Sequence, residues 1–312
     1  MLLSASPHLR AALGVPQAMR DVVIALFPAV VMGVIYFGPY AAAVVALAVV
    51  ASVGTEYALC RLAKAPVTTS DWSAMVTGLL LGLNLPPTVP LWLPVVGGVV
   101  AIALVKRIYG GLGHNFLNPA LAARALLVAA WPARMTTWVS PFDGISTPTP
   151  LAQLVPRAAE GLGAPPAYLD MFIGNTAGCI GETSAAALLI GALYLLLRGV
   201  IDWRIPVAFI GTVAAVTWAF GPLGWFTGDF IAHILAGGLI LGAFYMATDW
   251  VTSPMTRRGR VYMGIGCGLI TVLIRLWGGY PEGVSYSILL MNIATPLIDR
   301  YTAPRPFGAA RR

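Results

Sequence analysis

The side chains best suited to covalent chemistry lie in one polar segment, Asp-Gly-Ile-Ser-Thr-Pro-Thr-Pro-Leu at residues 143–151. Several hydroxyl groups surround two prolines there, in a chain that is otherwise strongly apolar. Pro150 fits the first position of a helix, and the residue before a proline is pushed out of the helical region. Thr149 is therefore predicted to be the N-cap of a short helix that runs to Leu154.

A phosphate ester on Thr149 is one chemistry that this position would favour. A helix N-terminus presents free N–H groups and a partial positive charge, both of which attract a phosphate. The competing interpretation is a plain cap that starts a surface helix, and spacing alone favours that plainer interpretation.

The composition is that of a membrane protein. Hydrophobic residues make up 58% of the 312 residues, charged residues only 10%, and the mean hydropathy is +0.82. Soluble domains carry about 25% charged residues. The segment Met1–Arg20 is basic, the first apolar run starts at Val22, and no Ala-x-Ala site follows it. We therefore expect an uncleaved first span instead of a secretory signal.

Ten apolar segments predict an all-α polytopic membrane protein with about ten transmembrane helices. The third segment is short and is closed by Pro86-Pro87, which suggests a broken or re-entrant helix. The ten segments are Val22–Gly38, Tyr40–Cys60, Ser73–Leu85, Pro90–Val105, Pro119–Trp131, Ser184–Arg198, Trp203–Gly221, Phe230–Thr248, Val261–Trp277 and Val284–Ile298.

The positive charges predict the orientation. Fifteen lysines and arginines fall in the even-numbered loops and the two tails, against only Arg134 and Arg157 on the other side. This bias places both termini in the cytoplasm and the loop from Pro132 to Thr183, with Thr149, on the outer face. The net charge of +7 is then a topology signal, and no nucleic-acid partner is expected. The fifteen are Arg10, Arg20, Arg61, Lys64, Lys106, Arg107, Arg198, Arg204, Arg257, Arg258, Arg260, Arg300, Arg305, Arg311 and Arg312.

The two halves of the chain resemble each other. Gly78–Leu83 is similar to Gly237–Ala243, and Gly110-Gly111 precedes the fifth segment as Gly278-Gly279 precedes the tenth. Five spans are an odd number, so a second copy would insert upside down, with short or broken third and eighth helices. Chance similarity between Gly- and Leu-rich sequences is the alternative. We predict a first repeat at 1–131, an outer loop at 132–183, a second repeat at 184–300 and a basic tail at 301–312.

Other polar residues lie near the spans. Asn118-Pro119 is a cap and proline pair that starts the fifth segment, and the nearby Asn115 and His114 are candidates to line a cofactor site. Glu56 and Asp249 lie near the cytoplasmic ends of the second and eighth segments. An acid at membrane depth is a functional candidate, so both are assigned to an ion pathway. Glu56 could instead pair with Arg61 or Lys64.

The cysteines and histidines are too scattered to indicate a metal site. No CxxC occurs, so an iron–sulfur or zinc site built from this chain alone is not expected, and Cys60, Cys179 and Cys267 are interpreted as packing residues. A ligand shared with another subunit is the alternative for Cys179. No residue is assigned to acid–base catalysis.

Several motifs together resemble those of the D subunit of the Rnf complex, and more distantly those of the B subunit of the sodium-pumping NADH:quinone reductase. The resemblance covers nearly the whole chain. The motifs are Gly113-His114-Asn115, Asn118-Pro119-Ala120, Ser146–Leu151, Gly181-Glu182-Thr183-Ser184, Ala247-Thr248-Asp249, Thr252-Ser253-Pro254, Pro281-Glu282-Gly283 and Leu290-Met291-Asn292.

This resemblance implies an FMN attached through its phosphate to a threonine. The family motif is similar to Ser-Gly-Ala-Thr followed by Pro-Leu, which places the acceptor at Thr149 with Ser146 and Asp143 beside it. This chain departs from the motif with Thr147-Pro148, so Thr147 is the alternative acceptor. A second, non-covalent flavin such as riboflavin is an open alternative to FMN alone, and Asn115 and Asn118 are candidate cofactor contacts.

The resemblance further implies a subunit of a bacterial inner-membrane complex that moves electrons between ferredoxin and NAD, coupled to Na+ or H+ translocation. Its partners would be the A, B, C, E and G subunits, the flavin-bearing G subunit on the outer face above all, together with a flavin transferase and membrane lipid. The alternative from another class is a cofactor-free secondary transporter or channel, which would not require the hydroxyl-rich loop at Thr149.

Overall fold

A computed structural model describes residues 14–154, 165–221, 224–278 and 282–304, and these residues are mostly helical. The strands among them are β1 (Phe220–Gly221) and β2 (Gly224–Trp225), a short antiparallel pair. The helices are α1 (Val15–Phe37), α2 (Pro39–Leu62), α3 (Ser73–Leu83), α4 (Trp92–Val99), α5 (Pro119–Ala130), α6 (Pro132–Met135), α7 (Pro150–Leu154), α8 (Tyr168–Ile173), α9 (Ala185–Leu197), α10 (Arg204–Ala219), α11 (Phe230–Leu235), α12 (Leu239–Leu241), α13 (Arg257–Trp277) and α14 (Val284–Thr302).

All ten predicted apolar segments contain helix, which agrees with the all-α membrane prediction. The third is the 11-residue α3, and α4 continues as a π-helix over Val100–Arg107. The eighth is interrupted: α11 ends at Leu235, and α12 runs into a second π-helix, Gly242–Met246. The arrangement as two inverted five-helix repeats stays a prediction.

Three helices in the described part of the chain are long and apolar enough to cross a membrane: α1, α2 and α13. Four shorter apolar helices, α3, α5, α9 and α10, have 10–17 residues. A full crossing needs about 20 residues, so the shorter ones depend on neighbouring protein to cover their ends.

The predicted start of the first span was too late. Helix α1 begins at Val15, not at Val22, because the Gly14 N–H donates to the Gln17 side chain at 2.8 Å and Pro16 occupies the first turn. Asp21 is thereby buried inside the helix, where it accepts from Tyr194 and Arg198. The sequence pattern missed this turn because its polar residues break the apolar run.

Close helix contacts join the two halves. Helix α9 packs on α1, where a Cβ built on Gly191 would lie 1.9 Å from the Ala25 carbonyl oxygen. The Tyr245 hydroxyl, in the second π-helix, bonds the Leu188 carbonyl oxygen at 2.7 Å. Within each half, α2 packs on α3 and α4, and α10 packs on α11 and α13. A single large apolar core runs through both halves.

The described residues of the predicted outer loop, 132–183, include helices. These are α6, α7 and α8. Arg157, which entered the charge comparison, lies outside the described residues, as do the segments 1–13 and 305–312 that hold Arg10, Arg305, Arg311 and Arg312. Helix α14 continues to Thr302, two residues past the predicted boundary of the second repeat.

Candidate functional site

The segment before Thr149 folds back as a narrow hairpin. Val139 and Ser146 form an antiparallel bridge, and the Ser140 N–H donates to the Ile145 carbonyl oxygen at 2.8 Å. Asp143 lies exposed at the tip of this turn, and Ser146 is exposed on its returning arm. The hairpin that precedes Thr149 therefore lies at the protein surface.

Thr149 caps α7, as the sequence predicts. Its carbonyl oxygen accepts from the N–H groups of Ala152 at 3.0 Å and Gln153 at 3.3 Å, and its Oγ1 accepts from Ala152 N–H at 3.3 Å. The side chain is half-buried. Thr147 differs, because its Oγ1 is buried and has no hydrogen-bond partner. The two candidate acceptors thus have opposite surroundings, and Thr149 is the one that borders a cavity.

The first cavity, called the Thr149 cavity, has an open volume of about 470 Å³. It lies at the break between α11 and α12, so the interrupted eighth helix forms one wall. The lining residues that matter for chemistry are Trp138, Thr149, Thr176, Glu182, Thr183, Gly237 and Glu282.

Buried charges lie beside the Thr149 cavity. Arg124 of α5 donates to both carboxylate oxygens of Glu282, and its Nη1 to the Ser285 hydroxyl at 2.6 Å. Arg275 of α13 is fully buried and donates to the carbonyl oxygens of His233 and Ala236 at 2.6 and 3.2 Å. These carbonyls belong to the last turn of α11, so Arg275 holds the helix at its break.

A second cavity, called the Asn115 cavity, lies at the other end of the interrupted helix, with an open volume of about 780 Å³. Its walls are mainly apolar. Both Asn115 and Asn118 line it, as do Lys106 and Asp249. The structure thus brings four sequence-selected or charged side chains together here, whereas His114 is exposed and does not line the cavity.

The two asparagines of this cavity differ in whether the side-chain oxygen already has a hydrogen-bond donor. Asn118 accepts from the N–H groups of Ala120 and Leu121 as the predicted cap of α5, and donates to the Met246 carbonyl oxygen at 3.4 Å. Asn115 donates to the Leu117 carbonyl oxygen, but its buried Oδ1 has no partner. Asn115 is therefore the side chain free to receive a hydrogen bond from a bound molecule.

The two predicted ion-pathway acids have different surroundings. Asp249 follows the second π-helix and accepts from the Thr252 hydroxyl at 3.1 Å. Burial raises the pKa of this loop carboxyl, and the hydrogen bond from Thr252 opposes that rise. Glu56 pairs with neither Arg61 nor Lys64: it is buried against Lys106, whose Nζ lies 2.9 Å from both carboxylate oxygens.

Sequence reasoning missed three of these charged groups. Lys106 entered the charge comparison as a loop residue, but it is 1% exposed inside the π-helix that follows α4. Arg124 and Arg275 fell inside predicted spans without a role. Charges at membrane depth need partners, and the signal was the presence of Glu182 and Glu282 two residues before the sixth and tenth segments.

Comparison with known proteins identifies the family. The model of the NQR2, RnfD, RnfE family matches residues 2–308. The chain is 51% identical to the D subunit of the Na+-translocating ferredoxin:NAD+ oxidoreductase complex of Acetobacterium woodii, over all of this chain and 96% of that protein. It is 48% identical to the D subunit of the proton-translocating ferredoxin:NAD+ oxidoreductase complex of Clostridium ljungdahlii, over 99% and 96% of the two chains.

A more distant relative agrees. The chain is 37% identical to the D subunit of the ion-translocating oxidoreductase complex of Halorhodospira halophila, over 99% of this chain and 96% of that protein. The match to the family model and these full-length identities confirm the resemblance found in the motifs. This chain belongs to the NQR2, RnfD, RnfE family.

Proposed function

We propose that this chain is the membrane flavoprotein subunit of an ion-translocating ferredoxin:NAD+ oxidoreductase complex. The observation that carries the proposal is full-length identity of 51% and 48% to the D subunits of two such complexes. The A, B, C, E and G subunits would be its partners, with the flavin-bearing G subunit facing Thr149 on the outer side of a bacterial inner membrane. This placement depends on the predicted charge asymmetry.

We place a covalent FMN at Thr149. Three features support this: the residue caps a helix, its hydroxyl borders a cavity, and the segment before it is a surface hairpin that a flavin transferase can reach. When bound, the flavin supplies the electron-carrying chemistry. The protein would hold the phosphate at the Thr149 oxygen through the Ala152 N–H and keep the ring against the cavity wall that includes Trp138.

We place a second, non-covalent flavin in the Asn115 cavity. Ligand cavities are mainly apolar with a few convergent polar groups. The Asn115 cavity has this character, and the unpartnered Asn115 Oδ1 would accept a hydrogen bond from a ring N–H. The ammonium of Lys106, held by Glu56, stands at its wall.

The coupling ion does not follow from the family. The relative at 51% identity is named as Na+-translocating and the one at 48% as proton-translocating. Because these two identities are so similar, Na+ and H+ both stay alternatives as the coupling ion of this chain.

The test of the covalent site is fluorescence of the denatured polypeptide. The chain is coexpressed with its flavin transferase, and we expect a fluorescent band in wild type and none in Thr149→Ala. Thr147→Ala is the matched control, because it removes the rival hydroxyl two residues away and should stay bright. A fluorescent Thr149→Ala band would move the attachment to Thr147 or Ser146. Dark wild type under these conditions would favour the cofactor-free transporter.

The non-covalent site has its own test. Flavin released from the native protein by acid is separated from the polypeptide and quantified for wild type, Asn115→Ala and Thr149→Ala. We expect Asn115→Ala to lose the released flavin while the polypeptide stays fluorescent, and Thr149→Ala to show the reverse. Loss of both flavins in either variant would contradict two independent sites.

A further inference from the structure

Two arginines and two glutamates meet beside the Thr149 cavity, from four different parts of the fold. Arg124 belongs to α5 and Arg275 to α13, whereas Glu182 and Glu282 lie in the loops before α9 and α14. Arg124 engages both oxygens of Glu282, and Arg275 donates to two backbone carbonyls. Neither arginine is among the hydrogen-bond donors to Glu182 in the described residues, which leaves this carboxylate without a direct cationic partner.

Glu182 is buried and only half satisfied. Its residue is 8% exposed, and its Oε1 accepts from the Cys179 N–H at 2.9 Å. Its Oε2 is buried without a partner, as is the hydroxyl of the neighbouring Thr183, which is 3% exposed. Both residues line the Thr149 cavity. A buried ionised carboxylate oxygen without a donor is costly, and protonation removes that cost.

The second carboxylate of the group faces the first across a glycine. A Cβ built on Gly238 would lie 2.7 Å from Glu182 Oε2 and 3.3 Å from Glu282 Oε1. Two carboxylates that share a site cannot easily both ionise, and one of them holds the proton. Arg124 keeps Glu282 ionised through two charge-assisted bonds, so the proton belongs on Glu182. Burial and the Glu282 carboxylate raise the pKa of Glu182, which lies in a loop outside the spanning helices.

We infer that Glu182 is a proton-exchange site: it holds a proton between itself and Glu282 and exchanges that proton with the Thr149 cavity. The charged and titratable groups that face it are Glu282, Arg124, Arg275 and the Cys179 thiol. Glu182 Oε2 and Thr183 Oγ1 are the side-chain oxygens of this group that are buried without a hydrogen-bond partner.

The coupling of this proton to electron transfer rests on the proposed function. Negative charge that arrives in the Thr149 cavity with an electron raises the proton affinity of the nearby Glu182 carboxylate. Burial and the Glu282 carboxylate raise the pKa of Glu182 to about 7, so above that pH the carboxylate is ionised before the electron arrives. It then takes one proton from the aqueous phase, and its O–H bond breaks again when the electron leaves. The buried group thus gains one proton on reduction and releases it on reoxidation, with no other reactant required.

Infrared titration of the flavin-free chain tests the site itself. The chain is expressed without its transferase, purified in detergent and titrated above about pH 6, where ordinary carboxyls are ionised. We expect a protonated-carboxyl C=O band that disappears as the pH rises, is absent in Glu182→Gln and shifts in Glu182→Asp. Asp170→Asn, which removes a carboxylate of α8, is the matched control and should keep the band. A missing wild-type band, or an undiminished band in folded Glu182→Gln, would overturn the inference. Should Glu182→Gln fail to fold by circular dichroism, an unshifted band in Glu182→Asp would overturn it equally.

Proton uptake on reduction tests the coupling. Flavin-loaded wild type and Glu182→Gln are reduced in weak buffer at a pH above that at which the infrared band disappears. Proton uptake is measured with an indicator dye and scaled to the fluorescence of the polypeptide. We expect lower uptake per flavin in Glu182→Gln and wild-type uptake in Asp170→Asn. Equal uptake in wild type and Glu182→Gln would disprove the coupling. If no flavin is attached at all, the proposed function fails, and the infrared titration still decides on the proton site.

Discussion

The Thr149 cavity and the Asn115 cavity lie along the same interrupted helix but have opposite chemistry. Two buried guanidinium groups and two carboxylates lie beside the first, whereas the second is lined mainly by apolar side chains, with Lys106, Asp249 and one unsatisfied amide oxygen among them. The charges beside the first cavity respond to a change of charge inside it. The second cavity offers a mainly apolar enclosure and one directional hydrogen bond from Asn115. A ligand in the Thr149 cavity would need a covalent attachment, whereas burial of apolar surface can hold a ligand in the Asn115 cavity.

The predicted sidedness of the two cavities is tested by cysteine labelling, where an all-or-none result is expected. Ile145→Cys, in the hairpin before Thr149, replaces a side chain that is 64% exposed, and Met255→Cys replaces one that is 85% exposed near Asp249. An impermeant maleimide added to intact cells should label Ile145→Cys only, because the charge bias places the Thr149 side outside.

The unmodified chain is the control for that experiment, since its three cysteines are all buried. Membranes opened by detergent should allow both variants to react. Labelling of Met255→Cys alone in intact cells would invert the topology, and the G subunit could not then face Thr149.

The buried pair of Lys106 and Glu56, beside the Asn115 cavity, should contribute more to stability than a partly exposed ion pair does. Lys106→Met leaves Glu56 buried with the Thr68 hydroxyl as its remaining donor in the described chain, and removing one partner of a buried pair costs about 3–5 kcal/mol. Thermal unfolding in detergent should show this loss. The double variant Lys106→Met/Glu56→Gln should recover most of it, because no unpaired charge remains. Equal stability of the single and double variants would show that the charge of Glu56 is not the cause.

Asp249 is the acidic residue that lines the Asn115 cavity, and in the described residues no lysine or arginine donates to it. We therefore expect Asp249→Asn to keep both flavins but to lower ion uptake several-fold in inverted vesicles driven by ferredoxin or NADH oxidation. Glu56→Gln should act mainly through stability, since Lys106 already neutralises Glu56. Wild-type uptake by Asp249→Asn, scaled to flavin content, would make it an ordinary interfacial residue and move the ion pathway to other subunits.

Local sequence signals predicted the elements well and the charge pairs poorly. Asn118-Pro119 and Thr149-Pro150 each predicted a cap and a helix start that the structure contains, because capping depends on residues within one turn. Thr68, Ser73, Glu56 and Lys106 come together from residues as much as 50 positions apart. Such pairs depend on how helices pack, and periodicity carries no information about the partner of a buried charge.

The interrupted eighth helix was predictable from the sequence only in part. The repeat comparison predicted a short or broken eighth helix but not where the break lies. Gly237, at the break, has a φ of +71°, which favours glycine. The surroundings of the break could not be predicted either, because only the fold places Arg275 under the last turn of α11 and the two glutamates across Gly238.

The ionic group around Asp202 lies outside both cavities. Its removal should reduce stability by less than the removal of one partner of a buried ion pair. Asp202 precedes α10 and accepts from Arg204 and Arg260 at 2.8 and 2.6 Å, which ties the loop to α13. Burial raises the pKa of Asp202, but the hydrogen bonds from the Arg204 N–H and the two guanidinium groups outweigh it, so the pKa is lowered. A lowered carboxyl pKa stabilises the fold at neutral pH, and this contribution is lost as the pH falls through the lowered value.

Asp202→Asn should therefore cost about 1 kcal/mol at pH 7, the scale of a partly exposed ion pair. The difference from wild type should shrink as the pH falls below about 4, where Asp202 of the unfolded chain takes up a proton before Asp202 of the folded chain does. The measurement is the thermal unfolding of both proteins in detergent across this pH range, with the exposed Asp143→Asn as the control that should match wild type throughout. A difference that stays constant with pH would assign the loss to changed packing at the start of α10. A loss as large as that of Lys106→Met would show that this loop is as strongly desolvated as the wall of the Asn115 cavity, and the contrast between exposed and buried ion pairs would fail.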